Sequence, residues 1–287
     1  MTDSANTLPT PADETIPYEG DWKSAPRQKT ITLPTTISTF TPMGEGSRSN
    51  EVELRRTMGW EEDLLRDDSG GLRGKITRIA RILSMCTVRI GEKRREKNAG
   101  DDHESEQEMF VKEWEEAPSP ARTFAWIRLR QLSLGHAFKF GAPCPHCRRL
   151  NKDLIYNLNA VEVFPIAEET VTKTQVLESE GFRIEWEVLR GKDEWKISDM
   201  REKNPSNLES AEIFPFIKSI NGKKPNSVKE LVRLPSEVRA EIREAINVGG
   251  PSLIVTNECE NRLCRGEFST LLPIFQRSFF IPSERTR

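Results

Sequence analysis

Hydrophobic and polar positions change rhythm several times along the chain, and each change predicts an element. Residues 1–47 are rich in Thr, Pro and Ser and carry no helical period, so they read as an extended amino-terminal arm. Within it TITLPTTISTF has enough β-branched residues to form a strand if it finds a partner. Two readings of the arm stand side by side: a disordered tail, or an assembly arm that orders on a neighbouring subunit. Residues 48–133 read as mainly helical. EVELRRTMGWEEDLLRD gives a strand, a turn and a short acidic helix, and LRGKITRIARILSMCTV gives a stronger helix with Ile79, Ile82, Leu83 and Cys86 at helical spacing. EKRREKNAGDDHESEQE is nearly all charged and aperiodic, the mark of a solvated loop. ARTFAWIRLRQLSL is helical again, with Phe124, Ile127 and Gln131 on one side and Trp126, Leu129 and Leu132 on another. A helix apolar on more than one face belongs in a core or an interface.

The period then switches to two. HAFKFGAPC alternates into a cysteine pair, and LNKDLIYNLNAVEVF leaves it with Leu154, Tyr156 and Leu158 in alternation. Much later SLIVTNEC runs into a second pair and RGEFSTLLPIFQRSFF runs out of it, so strand, knuckle, strand occurs twice. Between them, residues 167–248 read as an inserted α/β block. FRIEWEVLRG is a strand with Phe182, Ile184, Trp186 and Val188 facing one way, GKDEWKISDMREK and NLESAEIFPFIKSI read as helices, and INGKKPNS as a turn. LPSEVRAEIREAINVGG closes the block with a helix capped by Ser236, striped by Val238, Ile242 and Ile246, and ended by Gly249 and Gly250. The predicted fold class is therefore α+β: a discontinuous four-cysteine zinc ribbon over residues 134–166 and 249–287, an inserted α/β block and an extended arm.

Composition narrows the chemistry. A chain of 287 residues can bury a sizeable core without depending on staples alone. Its net charge of −2 supplies no bulk attraction to nucleic acid or anionic membrane. No apolar run reaches the length of a membrane span, and MTDSANTLPTPADETIP has neither the basic nor the apolar region of a signal peptide, so synthesis in the cytoplasm is expected. In that compartment five cysteines are not a disulfide framework. Cys86 reads as a core residue of its helix, which leaves Cys144, Cys147, Cys259 and Cys264.

Two knuckles, each on a turn between strands, supply what a four-thiolate zinc site needs: four tetrahedral ligands with short gaps inside each pair. About 110 residues separate Cys147 from Cys259, where a simple ribbon has roughly 15–20. Closing a loop of that size costs about 4 kcal/mol, against roughly 10–16 kcal/mol from a structural zinc site, so the separation is affordable. His146, between the first two ligands, is expected to face solvent because a structural site closes at four ligands. The same closure argues against catalysis, which needs a ligand position open to water. His103, His136 and His146 lack helical metal-pair spacing, and there is neither a phosphate-binding glycine loop nor a nucleophile elbow, so no enzyme activity is expected. Lys139, Arg148, Arg149, Lys152, Arg262 and Arg265 crowd the knuckles and raise a nucleic-acid-binding alternative. Asp153, Glu258, Glu260 and Glu267 interleave with them and weaken it. The tail LLPIFQRSFFIP, with Leu272, Ile274, Phe279, Phe280 and Ile281, is expected to pack in the core, an interface being the other reading.

The order of these pieces resembles the baseplate hub family of tailed phages, the T-even-type hub subunit or hub assembly chaperone. The resembling parts are VELRRTMGWEEDLL before a helix, IRLRQLSLGHAFKFGAPCPHC through the first knuckle, and a second knuckle followed by the pair Phe279 and Phe280. As an ordered series they cover roughly residues 48 to 282; His136 stands where many relatives carry an acidic residue. The resemblance implies a structural component that helps build the hub beneath the tail tube. Its expected partners are other baseplate or tail-hub proteins or copies of itself, and its expected place is the host cytoplasm during assembly, with the virion tail baseplate added if it stays in the finished particle. Carried over by position, the resemblance supports the four cysteines as the zinc site and nothing further.

Overall fold

A computed structural model of the chain describes residues 28–41, 44–67, 70–95 and 110–280. The first 27 residues of the expected arm, most of the charged loop with His103, and Ile281 lie outside the described residues.

The β-branched stretch of the arm finds its partner inside the same chain. Strand β1 (Gln28–Thr41) pairs antiparallel with β2 (Gly44–Arg55), which pairs with β3 (Thr87–Ile90), and β3 with β4 (Lys93–Arg94). Ile31, Leu33 and Ile37 are buried, so the second half of the expected arm is a core strand. The hydrophobic alternation of β1 explains why: a strand with one apolar face is stable once that face is covered. Two helices run between β2 and β3, α1 (Gly59–Arg66) and α2 (Gly71–Cys86), the latter burying Ile79, Ile82, Leu83 and Cys86 on the face its spacing predicts. After α3 (Val111–Glu116) comes α4 (Ser119–Leu134), buried from Ala121 through Ile127 and again at Leu129 and Arg130. The carboxyl tail wraps this helix: Trp126 Nε1 donates to the Ile274 carbonyl at 2.9 Å, Arg130 Nε donates to the Phe279 carbonyl at 2.6 Å, and the Trp126 and Phe280 rings lie 4.4 Å apart.

Two further hairpins join this core. Strand β5 (Ala137–Pro143) pairs with β6 (Leu150–Asn157), and β12 (Ile254–Glu258) with β13 (Glu267–Leu271). Phe138, Phe140, Leu154, Val255 and Phe268 enter the same hydrophobic cluster as the amino-terminal sheet, α2 and α4. The expected arm, helical region and ribbon thus share one core wherever they are described.

Residues in the interval 167–248 build a second core around Val171, Ile184, Trp186, Val188, Ile217, Val238 and Ile242. The interval runs through α5 (Glu168–Thr172), β8 (Gln175–Ser179), β9 (Phe182–Trp186), α6 (Trp195–Lys203), α7 (Leu208–Ile213), β10 (Ile217–Ile220), α8 (Val228–Val232) and α9 (Ser236–Ile246), of which α6 buries no residue. The α-helix stops at Ile213, a 3-10 turn over Phe214–Phe216 holds Pro215, and IKSI is then a strand paired with β9, not a helical continuation, with Ile217 and Ser219 turned inward alternately. Ser236 is the first residue of α9 rather than its cap. Pro235 takes the capping position, and the Ser236 hydroxyl donates to Glu237 Oε2 at 3.0 Å.

The chain enters and leaves this block side by side. Strand β7 (Val163–Phe164) pairs with β11 (Gly250–Pro251), and Ser252 N donates to the Glu162 carbonyl at 2.8 Å. Gly250 has φ of 98°, and a Cβ there would lie 2.5 Å from Pro120 Cβ. The Gly250→Ala variant is therefore expected to lose about 2–4 kcal/mol from strain and overpacking together. Urea unfolding monitored by tryptophan fluorescence checks this, and an unchanged midpoint refutes it.

Candidate metal centre

Each knuckle is built by its own backbone. In the first, Cys144 N donates to the Arg149 carbonyl at 2.9 Å and Arg148 N donates to the Cys144 carbonyl at 2.8 Å. In the second, Cys259 N donates to the Gly266 carbonyl at 3.1 Å and Arg265 N to the Asn261 carbonyl at 3.0 Å. The residue after the second cysteine is left-handed in both, Arg148 at φ 60° and Arg265 at φ 44°. Side chains other than glycine rarely adopt that conformation, so these two arginines occupy a backbone role that their charge does not explain.

The two turns bring together all four cysteines that the spacing singles out. Cys144, Cys147, Cys259 and Cys264 offer sulfur atoms that all lie within 4.8 Å of one another. Contacts across the knuckles are the close ones, 3.6 Å between the sulfurs of Cys147 and Cys259 and 3.9 Å between those of Cys144 and Cys264. All four are free thiols, and Cys144 and Cys259 are buried. A tetrahedron with metal–sulfur bonds of roughly 2.3 Å has edges of about 3.8 Å, so the cluster fits a four-coordinate ion. The sulfurs also have donors: the backbone N–H of Arg149 serves Cys147, that of Asn261 serves Cys259, and that of Gly266 serves Cys264. Each donor lies two residues beyond its cysteine, an arrangement that favours thiolates. An all-sulfur set suits soft or borderline metals.

Electrostatics divide the thiols. The Arg149 N–H and the Asn261 side chain help hold Cys147 down to about 6, against the opposing effect of burial. Cys259 is pushed up to about 12. The Asn261 N–H favours its thiolate, but burial and the neighbouring sulfurs, Cys147 first, outweigh that bond, and Cys264 shifts upward in the same way.

The knuckles are also joined without the metal. Asn151, buried on β6, donates through Nδ2 to the Ala142 carbonyl at 3.2 Å and accepts from Glu260 N through Oδ1 at 2.8 Å. Asp153 N donates to Glu260 Oε1 at 3.3 Å. His146 is exposed and stays off the sulfur cluster, but its Nε2 lies 2.9 Å from the Glu267 carbonyl, and its ring fills the space a Cβ on Gly266 would need. Sequence spacing marks the cysteines and misses Asn151 and Glu260; the one visible signal is Asn151, a polar residue in an inward strand position, while Glu260 is exposed on the turn. His136 is exposed and away from the cluster. Of the six cations near the knuckles, Lys139 pairs with Asp153 at 2.7 Å, and the other five make no ion pair among the described residues.

Fold and site together define an α+β protein with a four-cysteine cluster able to hold a metal ion. Compared with protein-family models, with curated proteins and with solved structures, the chain matches none. No described helix is long and apolar enough to cross a membrane.

Two outcomes follow for the cluster. Replacing Asn151 with Ala removes the partner of the buried Ala142 carbonyl and of the Glu260 N–H and uncouples the knuckles, and is expected to cost about 1–3 kcal/mol and weaken metal binding roughly 10–100-fold. Competition with a chromophoric chelator measures the second quantity, and wild-type affinity refutes the role. In metal-free protein, iodoacetamide at neutral pH is expected to label Cys147 before Cys259 and Cys264, with the rate falling as pH drops through about 6. Because that value lies below the ordinary 9.0, the Cys147 thiolate contributes stability in full above pH 9 and loses it as pH falls toward 6. Equal labelling of the three sulfurs, read by peptide mass spectrometry, contradicts this.

Proposed function

We propose that the chain is a structural or assembly protein of a tailed-phage baseplate hub, or of a related contractile particle, with zinc as a staple rather than a reactant. The sulfur cluster supports the staple: four thiolates at near-tetrahedral spacing leave a bound ion no position for water. Zinc is the favoured ion because it takes that geometry and has no redox chemistry that would damage its ligands. The ordered motif series from VELRRTMGWEEDLL to Phe279 and Phe280 supports the hub assignment. Core packing of that aromatic pair supports a structural reason for the series, since its end closes over α4. In this reading the protein is made in the host cytoplasm, joins other baseplate or tail-hub proteins there, and is a constituent of the virion tail or a helper in building it.

A nucleic-acid-binding ribbon is the second reading, favoured by the five cations around the knuckles that make no ion pair among the described residues. A steep salt dependence of oligonucleotide binding, lost on replacing Arg148 and Arg149, would decide for it.

Purified protein is expected to carry about one zinc ion per chain. Cys144→Ser and Cys259→Ser should each lose it, with a fall in thermal midpoint of several degrees or more. Metal analysis and calorimetry measure both, and full stability without zinc sinks the staple. Genes for tail-tube and baseplate proteins on either side of this one would carry the hub assignment, and a neighbourhood without them would overturn it.

A further inference from the structure

The tip of the second knuckle carries the most exposed large apolar side chain among the described residues, Leu263 at 97%. It stands between Arg262 and Arg265, both exposed, and the first knuckle adds Arg148, Arg149 and Lys152 beside the same sulfur cluster. A leucine held in water between two exposed arginines belongs neither to the core nor to the sulfur cluster. An exposed leucine is apolar area that a protein contact can bury, and arginine is enriched at such contacts. A polyanion is a poorer match, because Glu258, Glu260 and Glu267 lie among the cations and Glu258 stands directly across from Glu267 in the hairpin.

The chain itself presents a surface of the opposite kind. Along α9 (Ser236–Ile246) Glu237, Glu241 and Glu244 are exposed and spaced so that they form one stripe beside the buried Val238 and Ile242. None of the three makes an ion pair among the described residues, while Arg243 on the flank is engaged by Glu209 at 2.6 Å. Val232 and Leu208 are exposed on the neighbouring helices α8 and α7, which leaves apolar surface on the helices grouped with the acidic stripe.

We propose that the knuckle tip of one copy docks on α9 of a second copy, Leu263 entering the contact as its anchor and the arginines facing Glu237, Glu241 and Glu244. The inference rests on the reading of the chain as an assembly protein and names one partner for it. Joining unlike surfaces makes the contact heterologous, so repetition closes a ring or extends a filament.

Sedimentation velocity of the zinc-loaded full-length chain tests this. Concentration-dependent oligomers are expected at low salt, dissociating as salt screens the charges. Leu263→Glu is expected to weaken apparent association about thirtyfold or more, the size of an anchor residue. A triple Glu237→Arg, Glu241→Arg, Glu244→Arg variant and a double Arg262→Glu, Arg265→Glu variant should each fail alone and associate when mixed. Zinc content and thermal midpoint, unchanged from the parent, establish that these variants are folded. A monomer at every salt and concentration, wild-type association by Leu263→Glu, or no recovery on mixing would each overturn the proposal. So would loss of binding to a labelled DNA duplex in the double variant with self-association intact, which gives the tip to nucleic acid. A monomer that still co-purifies with tail-hub proteins overturns the docking alone. A self-associating chain that holds no zinc and lies outside a tail-gene neighbourhood supports the docking and overturns the functional reading.

Discussion

The carboxyl-terminal part of the larger core depends on two hairpins meeting across a long stretch of chain. The close sulfur pairs join positions 112 and 120 residues apart. Val255, Phe268, Leu272 and Phe279 come from the far side of that gap, and they pack against side chains that precede it. Closing so long a loop costs about 4 kcal/mol if the loop is flexible. Here it is not: the intervening block has its own core, and β7 pairs with β11 where the chain leaves and returns. The effective loop is the short path around that neck. Much of the closure is therefore achieved by backbone pairing, and the cysteine cluster completes a meeting that the neck has already arranged.

Helix α4 is the surface on which this meeting happens. Its two apolar faces answer to two halves of the chain, the amino-terminal strands and the carboxyl tail, and Trp126 and Arg130 fix the tail by its carbonyl groups. The same helix reaches the inserted block through Arg122, whose Nη2 lies 3.6 Å from Glu194 and also donates to the Ile76 carbonyl at 2.6 Å. Ser119 Oγ donates to Glu194 Oε1 at 2.7 Å. Burial pushes the Glu194 carboxyl up and the Arg122 guanidinium down, against their mutual attraction. A buried pair of this kind contributes little net stability but disfavours any other docking of the block, since a shift would leave one charge alone.

Local chemistry was legible where a short pattern suffices. The cysteine spacing, the helical stripe of α2, the many-sided apolar character of α4 and the alternation of β5 are all properties of neighbouring residues, and the fold uses them as they read. Patterns failed where a residue outside the pattern decided. The strand at 28–41 looked like part of an arm because its partner's pairing edge has no signature of its own. Ser236 looked like a cap because its hydroxyl type fits, yet Pro235 had already set the extended backbone there. Asn151 was invisible as a site residue because its value lies in reaching Glu260, more than a hundred positions away.

By itself the sequence determined the donor set: four thiols, paired by short gaps, each pair on a turn between strands. It also marked the chain between them as a block with strands and helices of its own, whose apolar positions form a second hydrophobic cluster. Only the tertiary structure decided that the four sulfurs share one small volume, that Asn151 and His146 bridge the two turns, and that the arginine after each second cysteine is held left-handed. The physical reason is range. Periodicity and spacing report forces between residues a few positions apart, whereas coordination geometry and bridging hydrogen bonds depend on where the rest of the core brings remote backbone.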